Sequence, residues 1–239
     1  MTSEECRYLA KKSEEKEERG KEQGKYFYGV ILCSEEKSFG HIGMNSDEVY
    51  TIPYRDIVAL VGDSPVKDYE ITEDNTRRHM EVLRQIMERY TVIPVEFGTT
   101  IKNERILKHL LTKSYDPTRK CLKLVDNMVE LGVKAILSAR DIEFTDPEKR
   151  KEYTLDILGS LNTIAKQSAT GNLFTNRLVL NASFLVNKGD IDAFSDEVVR
   201  LQEKYPMLKL LYSGPWPPHN FVYIRIGAQG IEINKKHVN

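Results

Sequence analysis

The sequence predicts an α+β protein of two domains, and three observations carry that prediction. Apolar residues recur with a two-residue period in some stretches and at three- and four-residue spacing in others, so strands and amphipathic helices are both present. In the first half the strands follow one another directly instead of alternating with helices. The length of 239 residues, with 40% hydrophobic and 30% charged content, suits one large domain or two ordinary ones with a real core.

Residues 1–24 are almost wholly polar or charged, with both signs interleaved as in Lys16-Glu17-Glu18-Arg19. Glu-to-Lys and Glu-to-Arg spacings of three and four would add a few tenths of a kcal/mol per pair to an isolated helix. No apolar stripe would bury such a helix, so the segment reads as a solvated extension, or as an arm that recruits assembly partners.

The N-terminal α+β domain is expected over residues 25–113. Tyr26 to Cys33 is dense in aromatic and β-branched residues and reads as a buried strand. Glu48–Tyr54 and Asp56–Val61 follow as strands after a turn marked by Gly40 and Gly43. Thr72 caps a helix reaching to about Tyr90, with Met80, Leu83, Met87 and Tyr90 as its apolar face and His79 beside it. Pro94 inside the short run Thr91–Val95 places that strand at an edge or bulge. Phe97-Gly98-Thr99 turns the chain, with Gly98 suited to positive φ, and Asn103 caps a short helix through Leu111.

The second domain is expected over residues 114–239. Asp116-Pro117 opens it as a cap with proline at the first helical position, and Gly132 stops that helix. Val133–Ser138 is a strand, and Thr145-Asp146-Pro147-Glu148 is a capping-box candidate that opens a helix of about twenty residues. From Arg177 to Val186 alternate residues Leu178, Leu180, Ala182, Phe184 and Val186 share one face. Ile191, Phe194, Val198, Leu201 and Tyr205 trace a helical stripe ended by Pro206, and strands at Met207–Tyr212 and Phe221–Ile226 close the chain. These counts resemble a ferredoxin-like fold in a modified element order, with helices on one sheet face.

The most distinctive stretch is Gly214-Pro215-Trp216-Pro217-Pro218-His219-Asn220-Phe221, which holds the only tryptophan. Its three prolines fix φ and remove three donors, so neither a helix nor a paired central strand is expected there. Trp216 either packs into a core behind this stiff connector or presents, with Phe221, a proline-aromatic docking surface.

Function classes are narrowed by what the residues carry. A formal net charge of −1 gives no electrostatic reason to bind nucleic acid or an anionic membrane. Cys6, Cys33 and Cys121 are odd in number and widely spaced, which points to a reducing, cytoplasmic setting and to no metal site. No run of about eighteen apolar residues is present to span a bilayer. No phosphate-cradling glycine loop and no nucleophile-elbow pattern appears, so no catalytic residue and no cofactor is assigned.

Three motifs in order are similar to those of the gas vesicle protein L/F family. They are the opening strand Tyr26-Phe27-Tyr28-Gly29-Val30; helical His79 followed by Pro94-Val95-Glu96-Phe97-Gly98-Thr99; and the segment holding Trp216, Pro217, Pro218 and Phe221. Glu96 stands where that pattern usually has arginine, and His219 where it has tyrosine. The resemblance implies a non-catalytic accessory protein for nucleation or assembly of the gas vesicle shell, with two α/β-type domains, the second modified ferredoxin-like. Its implied partners are the small hydrophobic major shell protein and other accessory proteins. A different class, a small-molecule enzyme with a site between the domains using His79 or His219, is the alternative.

Overall fold

The computed structural model describes residues 23–138, 146–227 and 230–235. Residues 1–22 of the expected extension and Thr145 of the expected capping box lie outside the described residues. Helices and antiparallel sheets make an α+β protein, and the chain divides into two compact units. Among the described residues, the first unit comprises 23–122 together with Ile224–Ile233, and the second is built on Lys123–Tyr223.

The first unit is organised on β1 (Lys25–Leu32), whose residues are buried up to Ile31. β2 (Val49–Tyr54) and β3 (Ile57–Asp63) form a hairpin, and β4 (Val92–Pro94) lies on the other side of β1, giving the order β2-β3-β1-β4. The two-residue β5 (Thr100–Ile101) also pairs with β1. Pro94 therefore ends an edge strand of this ladder, as a residue without a backbone donor must. α1 (Glu73–Met87) is capped by Thr72, whose hydroxyl accepts from the Asn75 N–H. Its buried face is His79, Val82, Leu83, Ile86 and Met87, so His79 lies on the apolar stripe and not beside it. Met80 is only half-buried, because the stripe is set by the residues that meet the sheet.

α2 (Glu104–Leu124) corrects the expected break at Asp116-Pro117, since one helix runs through Pro117. Proline in a helix interior costs about 3 kcal/mol. The apolar stripe continues across it through Leu107, Leu110, Leu111, Ser114, Thr118, Cys121 and Leu122, all buried. On another face the Asp56 carboxylate, in the β2–β3 turn, accepts from the Tyr115 hydroxyl at 2.5 Å and Arg119 Nε at 2.7 Å. That clamp spans the proline and holds both sides of it to the same turn.

The second unit begins with β6 (Met128–Leu137), where a helix stopped by Gly132 was expected. Val129, Leu131, Val133, Ala135 and Leu137 are all buried, a two-residue period that outweighs the weaker helical spacing. At Gly132 an added Cβ would stand 2.6 Å from Ser213 Oγ on the neighbouring strand, so that hydroxyl would have to turn aside. α3 (Pro147–Asn162) is capped by Asp146, which accepts from the Lys149 N–H. The polar β7 (Gln167–Thr170) was not legible in the sequence. β8 (Leu178–Asn187), α4 (Ile191–Lys204) and β9 (Leu208–Trp216) follow. With β7 counted, the order is βαββαβ and the antiparallel sheet reads β7-β8-β6-β9, the plain ferredoxin-like arrangement. The departure in element order expected from the sequence disappears. Beyond β9, β10 (Val222–Gly227) pairs with β11 (Gly230–Lys235).

Candidate functional site

In the first unit the structure brings His79, Phe97 and Gly98 to one place, with Pro94 entering the same turn. Tyr26 and Tyr28 alternate on β1, so both phenols point to the face covered by α1. The Tyr26 hydroxyl accepts from the Gly98 N–H at 3.0 Å and lies 3.0 Å from His79 Nδ1. Having accepted from Gly98, it has its own proton available for Nδ1. The His79 ring stacks on Tyr28 at 5.7 Å and meets Phe97 edge-on at the same distance. Burial pushes both phenols well above the ordinary tyrosine range. Gly98 has φ of 79°, and no backbone or side chain crowds it, so conformation and not space requires glycine. His79 is 1% exposed and serves as a packed, hydrogen-bonded core residue.

This turn also receives the end of the chain. Val95 forms a parallel bridge with Ile224, and the Glu96 N–H donates to the Ile224 carbonyl at 3.0 Å. The Glu96 carboxylate accepts from Arg225 Nε at 2.9 Å and Nη2 at 3.1 Å, a two-point pairing. An acid at position 96 thus has its complement within the same unit.

The second constellation is the tryptophan segment, where the strand expected to end at Tyr212 runs on at the edge of its sheet. β9 continues as a paired strand to Trp216, which lies opposite Glu130 beyond a register shift. Two features admit Gly214 and Pro215. Gly214 takes φ of 119°, where a Cβ would meet the Glu130 carbonyl at 2.8 Å, and the Gly214–Pro215 peptide is cis. The chain then turns tightly, with the Phe221 and Val222 N–H groups donating to the Pro218 carbonyl. Pro217, Pro218 and Phe221 are buried, whereas Trp216 is half-buried. Phe221 is therefore a core anchor, and of the four signature residues here Trp216 is the one that reaches a surface groove.

What holds the turn is Glu130, a residue not singled out from the sequence. Glu130 as a residue is 5% exposed. It accepts from the Asn220 backbone N–H at 2.7 Å and from Asn220 Nδ2 at 2.5 Å, and Asn220 Nδ2 also reaches Ser183 Oγ at 3.0 Å. Burial raises the Glu130 carboxyl above the usual carboxylate range, and the Asn220 and Ser183 hydrogen bonds oppose that shift. The available signal was one acid inside an apolar run, Val129-Glu130-Leu131.

Beside this latch lies a groove of about 420 Å³, whose lining includes Glu130, Gly132, Lys134, Ser183, Ser213 and Trp216. Small and polar residues line most of it, with Trp216 as its aromatic member. Such a surface can seat a side chain or a short segment of a partner. His219 lies against Tyr223, ring centres 5.6 Å apart. Among the described residues no group of His, Cys, Asp and Glu is arranged to hold a metal, and no helix is long and apolar enough to cross a membrane.

The fold and these two constellations define a class of protein, a two-unit α+β protein whose signature residues mostly knit structure and leave one aromatic groove. The family model of gas vesicle synthesis protein GvpL/GvpF matches residues 24–149 and 142–223. The chain is 35% identical over 207 residues to gas vesicle protein F1 of Halobacterium salinarum, covering 85% of this chain and 95% of that one. Gas vesicle protein F of Haloferax mediterranei is likewise 35% identical over 207 residues, with the same coverage. The crystal structures of GvpF from Anabaena and from Microcystis aeruginosa superpose with TM-scores of 0.72 and 0.73. Identities there are 18% and 16%, and each match covers 82% of this chain and 97% of the other. The chain belongs to the gas vesicle GvpL/GvpF family.

Proposed function

We propose that this protein acts in nucleation or assembly of the gas vesicle shell by binding the small hydrophobic major shell protein, with other accessory proteins as further partners. The observation that carries the reading is the groove beside Trp216. Family membership supports an accessory role in gas vesicles, and this groove is where a signature residue meets a surface. The protein works without catalysis and without a cofactor, in the cytoplasm and at the growing vesicle. Neither nucleic acid nor membrane is a partner. Covering or docking an apolar subunit needs a complementary surface and no reacting group. The expected domain division at residue 113 serves this reading only as a guide to where docking lies, in the second half.

The test is co-purification of the full chain with the co-expressed shell protein, with Trp216→Ala alongside. Because Trp216 is half-buried and lines the groove, the variant should fold and retain at least about tenfold less shell protein. Unchanged retention by a folded Trp216→Ala protein would move the docking surface elsewhere. No retention by the wild type would end the direct-binding reading.

A further inference from the structure

The four-stranded sheet has two edges, and they are treated differently. On β9 the side chain of Gln202, from α4, occupies the outer backbone. Its Nε2 donates to the Leu208 carbonyl at 2.7 Å, and its Oε1 accepts from the Leu210 N–H at 2.8 Å. In the first unit, β2 is covered by the segment Lys37 to Phe39, with Thr51 N–H to Lys37 O and Phe39 N–H to Val49 O. The segment following β4 receives Ile224. Among the described residues β7 has no such cover and pairs with β8 alone, and the bond from the Gly171 N–H to the Asn181 carbonyl sets the alternation. Gln167 and Ala169 face β8, while the N–H and C=O groups of Ser168 and Thr170 face outward. Those groups have no hydrogen-bond partner among the described residues. The strand Gln167-Ser168-Ala169-Thr170 also carries neither lysine nor proline to guard it.

The loop leaving β7 displays Leu173 and Phe174, which are 55% and 78% exposed. This display is built rather than slack. Gly171 is fixed to Asn181, the Asn172 carbonyl accepts from Asn181 Nδ2 at 3.1 Å, and the Asn176 carbonyl accepts from Arg150 Nη1 at 2.5 Å. Two large apolar side chains are thus held at the end of an open strand edge.

We propose that the β7 edge is a strand-docking site, in which a partner's extended apolar β-strand pairs with Ser168 and Thr170 and packs on Leu173 and Phe174. Outward donors and acceptors at two-residue spacing are complementary to an extended backbone and to no helix. The apolar pair beside them selects a strand with apolar side chains. In this molecule the occupant is a strand of the small apolar shell subunit, so the proposal rests on the accessory role above. It adds a contact apart from the Trp216 groove.

The test uses the full chain, the co-expressed shell subunit and two variants. Thr170→Pro removes an outward N–H without taking a bond from the β8 ladder. Leu173→Ser/Phe174→Ser leaves the strand untouched and decides the matter if the proline variant misfolds. Expected is capture by the wild type, reduction of about tenfold or more in both variants at unchanged melting temperature, and slowed amide exchange at Ser168 and Thr170 in the complex. Capture by folded variants equal to wild type would overturn the edge proposal and leave the shell-binding reading standing. No capture by the wild type would overturn both the edge proposal and the shell-binding reading.

Discussion

At the scale of single residues, Glu130 connects two parts of the second unit that are ninety positions apart. Replacing it with alanine leaves the part-buried Asn220 N–H without its acceptor and should cost about 1 kcal/mol. Glu130→Gln keeps an acceptor for that N–H, and its amide can donate to a turned Asn220 side chain. The pH dependence follows from the raised carboxyl. The folded state holds this proton more tightly than the unfolded chain, so Glu130 favours folding at low pH. It costs stability as pH rises from the unperturbed carboxylate value of about 4.3. Urea unfolding across that range should show wild-type stability falling with pH relative to Glu130→Gln. A gap that widens in the opposite direction would contradict the assignment. The first constellation, by contrast, was visible as a motif. His79, Phe97 and Gly98 could be picked from the sequence, but that Tyr26 joins His79 to Gly98 depends on contacts 53 and 72 residues apart.

Elements were legible where burial imposes one period and obscure where two signals compete. β1, β8, α1 and α4 carry unmixed patterns and stand close to where periodicity puts them. α2 and β9 did not follow their prolines, because the stripe from Leu107 to Leu122 and the pairing of Trp216 with Glu130 override a local penalty. β7 escaped notice because a four-residue polar edge strand exists only by virtue of its partner. The same scale explains why one edge of this sheet is closed. Gln202→Ala should free the Leu208 carbonyl and the Leu210 N–H, speed exchange of the Leu210 amide by about tenfold and allow concentration-dependent self-association. If exchange at Leu210 is unaltered, Gln202 is not what closes that edge.

For the molecule as a whole, the chain leaves the first unit and returns to it. Ile224 is fully buried, and its carbonyl receives the Glu96 N–H. A chain ending after Tyr223 should therefore lose protection at the Glu96 amide and lower the unfolding midpoint of the first unit, with the Glu130–Asn220 latch retained. Hydrogen exchange read residue by residue checks this. Full protection at Glu96 in the shortened chain would show the return to be dispensable.

The sequence by itself determined the α+β class, the existence of most elements and the family, because periodicity, caps and short motifs are local properties written in adjacent residues. Only the tertiary structure decided which signature residues are anchors and which meets a surface. It alone revealed the plain ferredoxin-like order, and the return of residue 224 to the unit begun at residue 23. The physical reason is the same in each case. A buried carboxylate, a polar edge strand and a proline within an element are each unfavourable alone, and become stable only through groups supplied from distant parts of the chain.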